Sequence, residues 1–440
     1  MIRGSLALIS QPIEKMDASQ RVSDWQDTRP ETRRLAVIVT EFPKTTETFI
    51  MRDVIAFSKR GYDIRIYHLT HYNRREVVHD FAQQTVGWSR DFAYFASTDV
   101  IAACVRNLLK RPRALGRVLR DIVMGCWRDP VMLLKSLFIL PKSLRISEDI
   151  LEWGGDHVHA AYAGHPATCA WIVRRVADVP FSVSCHAHDI FETQALLRTK
   201  LPEADFVRTI SEYNRNYILR HVPDLFTKPP VVIHVGAFLE NLAPPVPFQS
   251  EKMQVLYVGS LEARKGIDVL LQAVAQANLG DWHLDIVGGG PERQRLEALS
   301  VDLGLSDRVT FHGAQPNERV AQAMAHASVM VVPSRIGPRN QTEGLPTVIV
   351  EALAHQTPVI ATRLTGIPEI IIHGVTGWLF EVDDTQGLSR ALEEVRSDPG
   401  EALRRALRGR ELVVNEFDQD RNADALLSLI CSSIDASPRK

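Results

Sequence analysis

The sequence predicts an α/β protein built from two doubly wound, Rossmann-like domains facing a central cleft. Three observations lead there. Short apolar runs alternate with helical segments, the pattern of parallel strands covered by helices on both faces. The alternation occurs twice, on either side of the aperiodic, proline-rich stretch Leu242-Ala-Pro-Pro-Val-Pro-Phe-Gln-Ser-Glu251. A chain of 440 residues is also long enough for two separate cores.

Residues 1–33 carry a short apolar patch and then polar sequence, which is not a signal-peptide pattern. They are expected to form a disordered extension. The first domain is placed at 34–240, with strands at Leu35–Thr40, Asp63–Leu69, His157–Tyr162, Phe181–Cys185, Phe206–Ile210 and Val231–Val235. Helical patterns lie between them at Glu47–Lys59, Pro166–Val176, Ile190–Leu197 and Glu212–Arg220, the last with Ser211 as its N-cap. A linker follows at 241–252. The second domain, 253–414, is read with strands at Met253–Gly259, Trp282–Val287, Arg308–His312, Val329–Val332, Val359–Thr362 and Trp378–Val382. Residues 415–440 read as a closing helix over Asn415–Ile434.

Composition narrows the function. A net charge of -2 gives no overall attraction to nucleic acid. Five cysteines are scattered, odd in number and without a C-x-x-C pair, as in a reduced, cytoplasmic protein. No run approaches the roughly 20 apolar residues needed to span a bilayer. One block breaks the strand–helix alternation. Between Arg106 and Arg145 lie ten cations (Arg106, Lys110, Arg111, Arg113, Arg117, Arg120, Arg128, Lys135, Lys142 and Arg145) against Asp121 and Asp129. Leu108, Leu109, Leu115, Leu119 and Val123 are interleaved with them. The block over 101–147 fits either a solvated helix pair or a basic amphipathic surface lying on an anionic membrane. No nucleic-acid recognition fold accompanies the charge.

Chemistry concentrates in Glu343-Gly-Leu-Pro-Thr-Val-Ile-Val-Glu351, two carboxylates separated by seven residues around a helix start. Pro346 suits a first helical turn, where an N–H has no partner anyway. The unpaired N–H groups near Gly344, Leu345, Pro346 and Thr347, with the positive end of the helix dipole, offer a seat for a diphosphate. Glu343 and Glu351 beside that seat suit a ligand rich in hydroxyls, such as a nucleotide-sugar. A second anion site is read at Gly259-Ser-Leu-Glu-Ala-Arg-Lys-Gly266, where Arg264 and Lys265 open a helix, a poor place for cations unless they serve an anion; the alternative is that they are surface charges on a turn. Gly288-Gly-Gly-Pro291 marks another strand-to-helix turn and is not a dinucleotide fingerprint. In the first domain, Cys185-His186-Ala187-His188-Asp189 ends a strand. His186 is either a hydrogen-bond donor to substrate or a satisfied strand-end histidine. Asp189 either orients an imidazole or caps the next helix. No carboxylate or cysteine set joins His157, His159, His186 and His188 into a metal site, so no metal is expected.

Taken together these segments resemble retaining GT-B glycosyltransferases of the family 4 (group 1) type. Strand–loop–Gly-Leu-Pro–helix–strand–Gly-Ile-Pro-Glu369 resembles the family's E-x7-E region, and Gly259 to Gly266 its strand–Gly–Arg–Leu–x3–Lys–Gly motif. Ser260 stands where the family usually has Arg, a gap that Arg264 could fill. Pro43-Lys-Thr-Thr-Glu-Thr-Phe-Ile50 is similar to an acceptor-side loop in the branch that assembles exopolysaccharides such as colanic acid, and a helix cap at Thr46 with Glu47 in the first turn accounts for it equally well. The resemblance implies that Gly259, Ser260, Arg264, Lys265, Gly344, Leu345, Pro346, Thr347 and Glu351 bind the donor. It assigns catalysis to His186, Glu343, Lys265 and Arg264, and the acceptor side to Thr46, Glu47, His188 and Asp189. It further implies a last helix that crosses back onto the first domain, no cofactor, no metal, and a hexosyltransferase using a nucleotide-sugar. The acceptor would be a saccharide, lipid-linked in the favoured reading, and the enzyme cytoplasmic, with peripheral attachment to the inner face of the plasma membrane as an option. The competing readings are a silent nucleotide-sugar-binding subunit and an epimerase or phosphorylase on the same scaffold.

Overall fold

A computed structural model describes residues 32–43, 48–72, 80–95, 97–237 and 252–437. Residues 1–31 of the expected extension and most of the expected linker lie outside these residues, as do Thr46 and Glu47. The first domain is a seven-stranded, wholly parallel sheet in the order β3-β2-β1-β4-β5-β6-β7. Its strands are β1 (Arg34–Val39), β2 (Asp63–His68), β3 (Ser89–Arg90), β4 (His157–Ala160), β5 (Phe181–Cys185), β6 (Phe206–Thr209) and β7 (Val231–Val232). The second is a six-stranded parallel sheet in the order β10-β9-β8-β11-β12-β13. It comprises β8 (Met253–Val258), β9 (Trp282–Val287), β10 (Val309–Gly313), β11 (Val329–Val332), β12 (Val359–Thr362) and β13 (Trp378–Phe380).

In both sheets the order reverses beside the first strand. Such a switch point leaves a crevice at the carboxyl ends of the strands, which is where ligands bind in open α/β sheets. The central strands β4, β5, β6, β11 and β12 are buried at every residue, which is what a parallel sheet covered on both faces requires, although β4, β5 and β6 carry His, Ser and Arg among their apolar side chains.

Two readings of helix boundaries need correction. The segment read as one helix over Ile190–Leu197 is two short turns, His188–Phe191 and Leu197–Lys200. Leu196 adopts φ 60 between them, which a continuous helix forbids. The closing helix is also broken. Pro399–Glu416 belongs to the second domain, and Gln419–Ala436 starts afresh after Asp418, whose side chain accepts from Arg421 N at 2.8 Å.

That last helix crosses back. Its Ala423, Leu426, Leu427 and Ile430 join Val37, Val54 and Phe57 in one apolar cluster of the first domain. Gln419 Nε2 donates to Asp53 at 2.7 Å, and Arg60 donates to Asp420 at 3.1 Å. The first domain's exit at Ala237 lies against the returning chain: Ala237 N donates to Phe417 O at 2.9 Å, and Gln419 N to Ala237 O at 3.3 Å. Two chain segments therefore run side by side where the lobes meet.

Candidate active site

The site is built from loops at the strand ends of both lobes. In the second lobe, β8 runs out at Val258 and the chain makes a tight 3-10 turn over Ala263–Lys265 before the helix Ile267–Gln276. Gly266 ends that turn at φ +66, and a Cβ there would stand 2.0 Å from Pro333 O, so only glycine fits. The triple-glycine turn wraps the same loop, with Leu261 N donating to Gly289 O at 2.9 Å. Its role here is to brace residues 259–261.

Arg264 and Lys265 are thereby aimed at Glu343. Arg264 Nη1 pairs closely with Glu343 Oε1, and Lys265 Nζ lies 2.9 Å from the same oxygen. Arg264 Nε also donates to Glu262 at 2.8 Å. Burial raises the Glu262 carboxyl, but the Ser260 hydroxyl and the Arg264 guanidinium more than offset this and hold it below its ordinary value. Burial, reinforced by the Arg264 charge and opposed by Glu262, pushes the Lys265 ammonium down to about 8. Two cations and two carboxylates thus form one cluster, partly shielded from water. Ser260 spends its hydroxyl on Glu262, and Arg264 is the guanidinium that reaches the centre.

Glu343 sits in the loop before the helix Thr347–Ala354, and Thr365 fixes its backbone. Thr365 Oγ1 donates to Glu343 O at 2.7 Å and to Gly344 O at 3.0 Å. Pro346 is the residue just before the helix rather than inside its first turn (φ -64, ψ 121), so the helix opens at Thr347. Leu345 departs from the sequence reading. Its side chain is buried with Ile349, Leu353 and Ile210 in an apolar cluster shared by both lobes, so only its backbone can serve a ligand.

From the first lobe, the loop after β5 meets this region directly. A Cβ on Gly344 would stand 2.7 Å from His186 O and 3.0 Å from Ile210 Cδ1, so the two lobes touch backbone to backbone at that glycine. The His186 ring is buried between Phe49, 4.8 Å away, and Tyr162, 5.2 Å away. Burial first, then Arg208 and His159, hold it well below its usual pKa, so its imidazole is neutral. A cavity behind it is lined by Phe49, Asp53, His159, Ser184 and Arg208. His188 is the more exposed of the pair and bonds Glu192 at 3.1 Å. Burial and the charge of Arg264 lower its pKa, against the pull of Glu192, which puts His188 within electrostatic reach of the second-lobe cations.

Asp189 neither bonds an imidazole nor serves as the N-cap, the place held by Ala187. Its carboxylate gathers backbone donors: Ala163 N at 2.8 Å, His186 N at 3.1 Å and Ala187 N at 2.8 Å. Burial lifts its pKa to about 6 despite these bonds. It is a loop-holding residue that sets the His186–His188 backbone. His157 and His159 are likewise committed, to Ser182 at 2.8 Å each, and His159 also to Ser184 at 3.0 Å.

Glu351 brings a contact that sequence reasoning missed. Its Oε1 pairs with Arg52 Nη2 at 3.2 Å, across the cleft from the helix Thr48–Lys59, and Arg52 Nη1 donates to Gly236 O at 3.3 Å. The partners are 299 residues apart, so no local pattern could signal the pair. Glu369 was also unassigned. It accepts from Glu212 N at 2.9 Å and Tyr213 N at 2.8 Å, capping the first-lobe helix Glu212–His221 from the second lobe.

Two parallel-sheet domains, a cleft between them and a last helix that returns to the first define the GT-B architecture. Solved structures agree. A sucrose-phosphate synthase from Thermosynechococcus elongatus superposes with TM-score 0.69 at 21% identity, covering 92% of this chain and 100% of that one. HepE of Anabaena in complex with UDP gives TM-score 0.69 at 18% identity, covering 91% and 100%. At these identities they speak to fold alone.

Within that fold, residues 225–411 match the family model of glycosyl transferases group 1, so the second lobe is a domain of that family. The lipopolysaccharide core biosynthesis glycosyltransferase LpsE of Rhizobium meliloti is 35% identical over 178 residues, 40% of this chain and 49% of that protein. A putative colanic acid biosynthesis glycosyltransferase, WcaL of Escherichia coli K12, is 22% identical over 416 residues, 90% of this chain and 99% of that protein. The match to LpsE spans about half that relative's length.

Proposed function

We propose that the protein is a retaining glycosyltransferase that moves a hexose from a nucleotide-sugar to a saccharide acceptor, lipid-linked, in polysaccharide assembly. The observation that carries this reading is the meeting of Arg264 and Lys265 at Glu343 beside the Thr347 helix start, opposite His186 and His188. The donor diphosphate takes over the two cations and the helix N–H groups. Glu343, released from them, accepts from sugar hydroxyls, and Glu351 from the ribose. Leaving of the nucleoside diphosphate builds negative charge on its terminal phosphate. Fixed cations and backbone N–H groups in an enclosed site stabilise that charge most strongly in the transition state. The acceptor attacks from the face the phosphate leaves, and a phosphate oxygen takes its proton. The reaction needs no side-chain nucleophile and no metal.

The enzyme works at the cytoplasmic face of a membrane that carries its acceptor. Among the described residues no helix is long and apolar enough to cross a membrane, so attachment is peripheral in this reading. Purified protein incubated with a panel of nucleotide-sugars should slowly release nucleoside diphosphate, and Glu343→Ala should abolish the release. Binding of a nucleotide-sugar with no turnover under any acceptor would favour the silent subunit instead.

A further inference from the structure

The basic block read in the sequence is three helices, Thr98–Lys110, Pro112–Cys126 and Pro130–Trp153, packed outside the first sheet. Its charge is not distributed as the sequence suggests. Lys142 is fully buried, bonding Leu69 O at 3.1 Å and Asp91 at 3.3 Å. Arg106 pairs with Glu148, and Arg145 lies 3.8 Å from Asp149. Leu115 faces the core. These four residues belong to the fold.

What remains outside is an apolar tip. The turn Trp127–Asp129 joins the second and third helices, and the large side chains around it point outward. Trp127 is 64% exposed, Met124 67% and Leu134 69%, with Val123 and Val131 also exposed. Isolated exposed apolar residues are ordinary, but a run of this kind at one helix–turn–helix tip marks a contact surface. Cations flank it. Arg128 stacks over the Trp127 ring at 4.7 Å, and Arg120 and Lys135 lie within a turn or two. The nearby carboxylates are already engaged: Asp121 lies 3.5 Å from Arg175 and 2.8 Å from Arg120, and Asp129 caps Met132 N at 3.0 Å.

We propose that this tip docks on an anionic phospholipid bilayer, with Trp127, Met124 and Leu134 entering the headgroup–acyl boundary and the arginines meeting lipid phosphates. An amphipathic ring beside cations and aliphatic side chains is the chemistry of that boundary. A second copy of the chain is the poorer occupant, because self-contact would set cations against cations with no spare carboxylate to pair them. The inference rests on the proposed transfer only in that a lipid-borne acceptor gives docking a purpose.

The test is co-sedimentation of the full chain with vesicles of phosphatidylcholine alone or phosphatidylcholine with phosphatidylglycerol. Binding is expected to require phosphatidylglycerol and to fall as salt rises. Trp127→Ser with Leu134→Ser, and separately Arg120→Glu with Arg128→Glu, should each weaken vesicle binding about tenfold or more. Vesicle-free donor hydrolysis should be unchanged in both. Equal binding to neutral vesicles, or variants that bind like the wild type, would overturn the proposal. So would a wild-type dimer that these variants break without affecting vesicles. Hydrolysis absent from wild type while vesicle binding persists would sink the transferase reading and leave docking intact.

Discussion

A donor diphosphate seated at Lys265, as proposed, would make binding depend on pH in a way that can be worked out beforehand. Burial and Arg264 hold the Lys265 ammonium near about 8, where a free lysine ionises near 10.5. In the ligand-free protein the unfolded chain binds the extra proton between those values, so stability rises with pH across that window. A bound diphosphate reverses the local balance, because its charge restores the ammonium. If the bound form carries the full proton, affinity falls by a factor of 1 + 10^(pH − 8), which is about tenfold between pH 7 and pH 9. The gap corresponds to an upper bound of about 3 kcal/mol. Calorimetric titration of a nucleotide-sugar in two buffers of different ionisation heat should show proton uptake near pH 8. Lys265→Arg keeps a cation that does not titrate there, so its affinity should be flat over the same range. A titration belonging to the nucleotide base would persist in that variant. A flat wild-type profile, or an identical slope in Lys265→Arg, would refute the argument.

Other residues give separate handles. Arg52→Ala removes the cross-cleft partner that positions Glu351, a pair only partly shielded from water. The donor KM should rise about fivefold, corresponding to about 1 kcal/mol, with kcat preserved. Tighter donor binding would show that Arg52 competes with the ribose instead. Glu369→Ala strips two acceptors from the helix Glu212–His221, and Ser211, which accepts from Asn214 N at 3.1 Å, remains. The loss should cost about 1 kcal/mol in chemical denaturation and enlarge the radius of gyration in solution scattering as the lobes part. Asp189→Ala leaves backbone donors of Ala163, His186 and Ala187 without their acceptor and should destabilise the first lobe by roughly 2–3 kcal/mol. Unchanged melting of that variant would mean water replaces the carboxylate.

Much of this architecture was legible because parallel strands buried on both faces announce themselves. Val329–Val332 and Val359–Thr362 were bounded correctly from apolar runs, and Trp282–Val287 from an apolar alternation broken by His283 and Asp285. The two-residue β3 strand, Ser89-Arg90, carries no such run and was missed. Helix breaks were harder. Leu196 is held at positive φ by tertiary packing, which leucine does not advertise, and Phe417-Asp418 interrupts a sequence that stays helical in pattern on both sides. The cationic and acidic halves of the Arg264–Lys265–Glu343 cluster were each readable from their helix starts. That Arg264 rather than Ser260 reaches Glu343 required coordinates, because it depends on a 3-10 turn locked by Gly266 against Pro333. Contacts between lobes, such as Glu351 with Arg52 and Glu369 with Glu212, leave no trace in local sequence. Composition also could not separate structural cations such as Lys142 from solvent-facing ones such as Arg128, since both occupy helices of similar pattern.

The returning helix Gln419–Ala436 also governs the order in which the molecule can be completed. Ribosomal synthesis delivers the first sheet hundreds of residues before the segment that covers it, so Val37, Val54 and Phe57 wait for Leu426 and Ile430. The second lobe can close while its elder neighbour is still missing a wall. Severing the gene at the inter-lobe junction would yield an amino-terminal fragment with a bare greasy flank, whereas supplying residues 419–436 as a separate peptide should mend it.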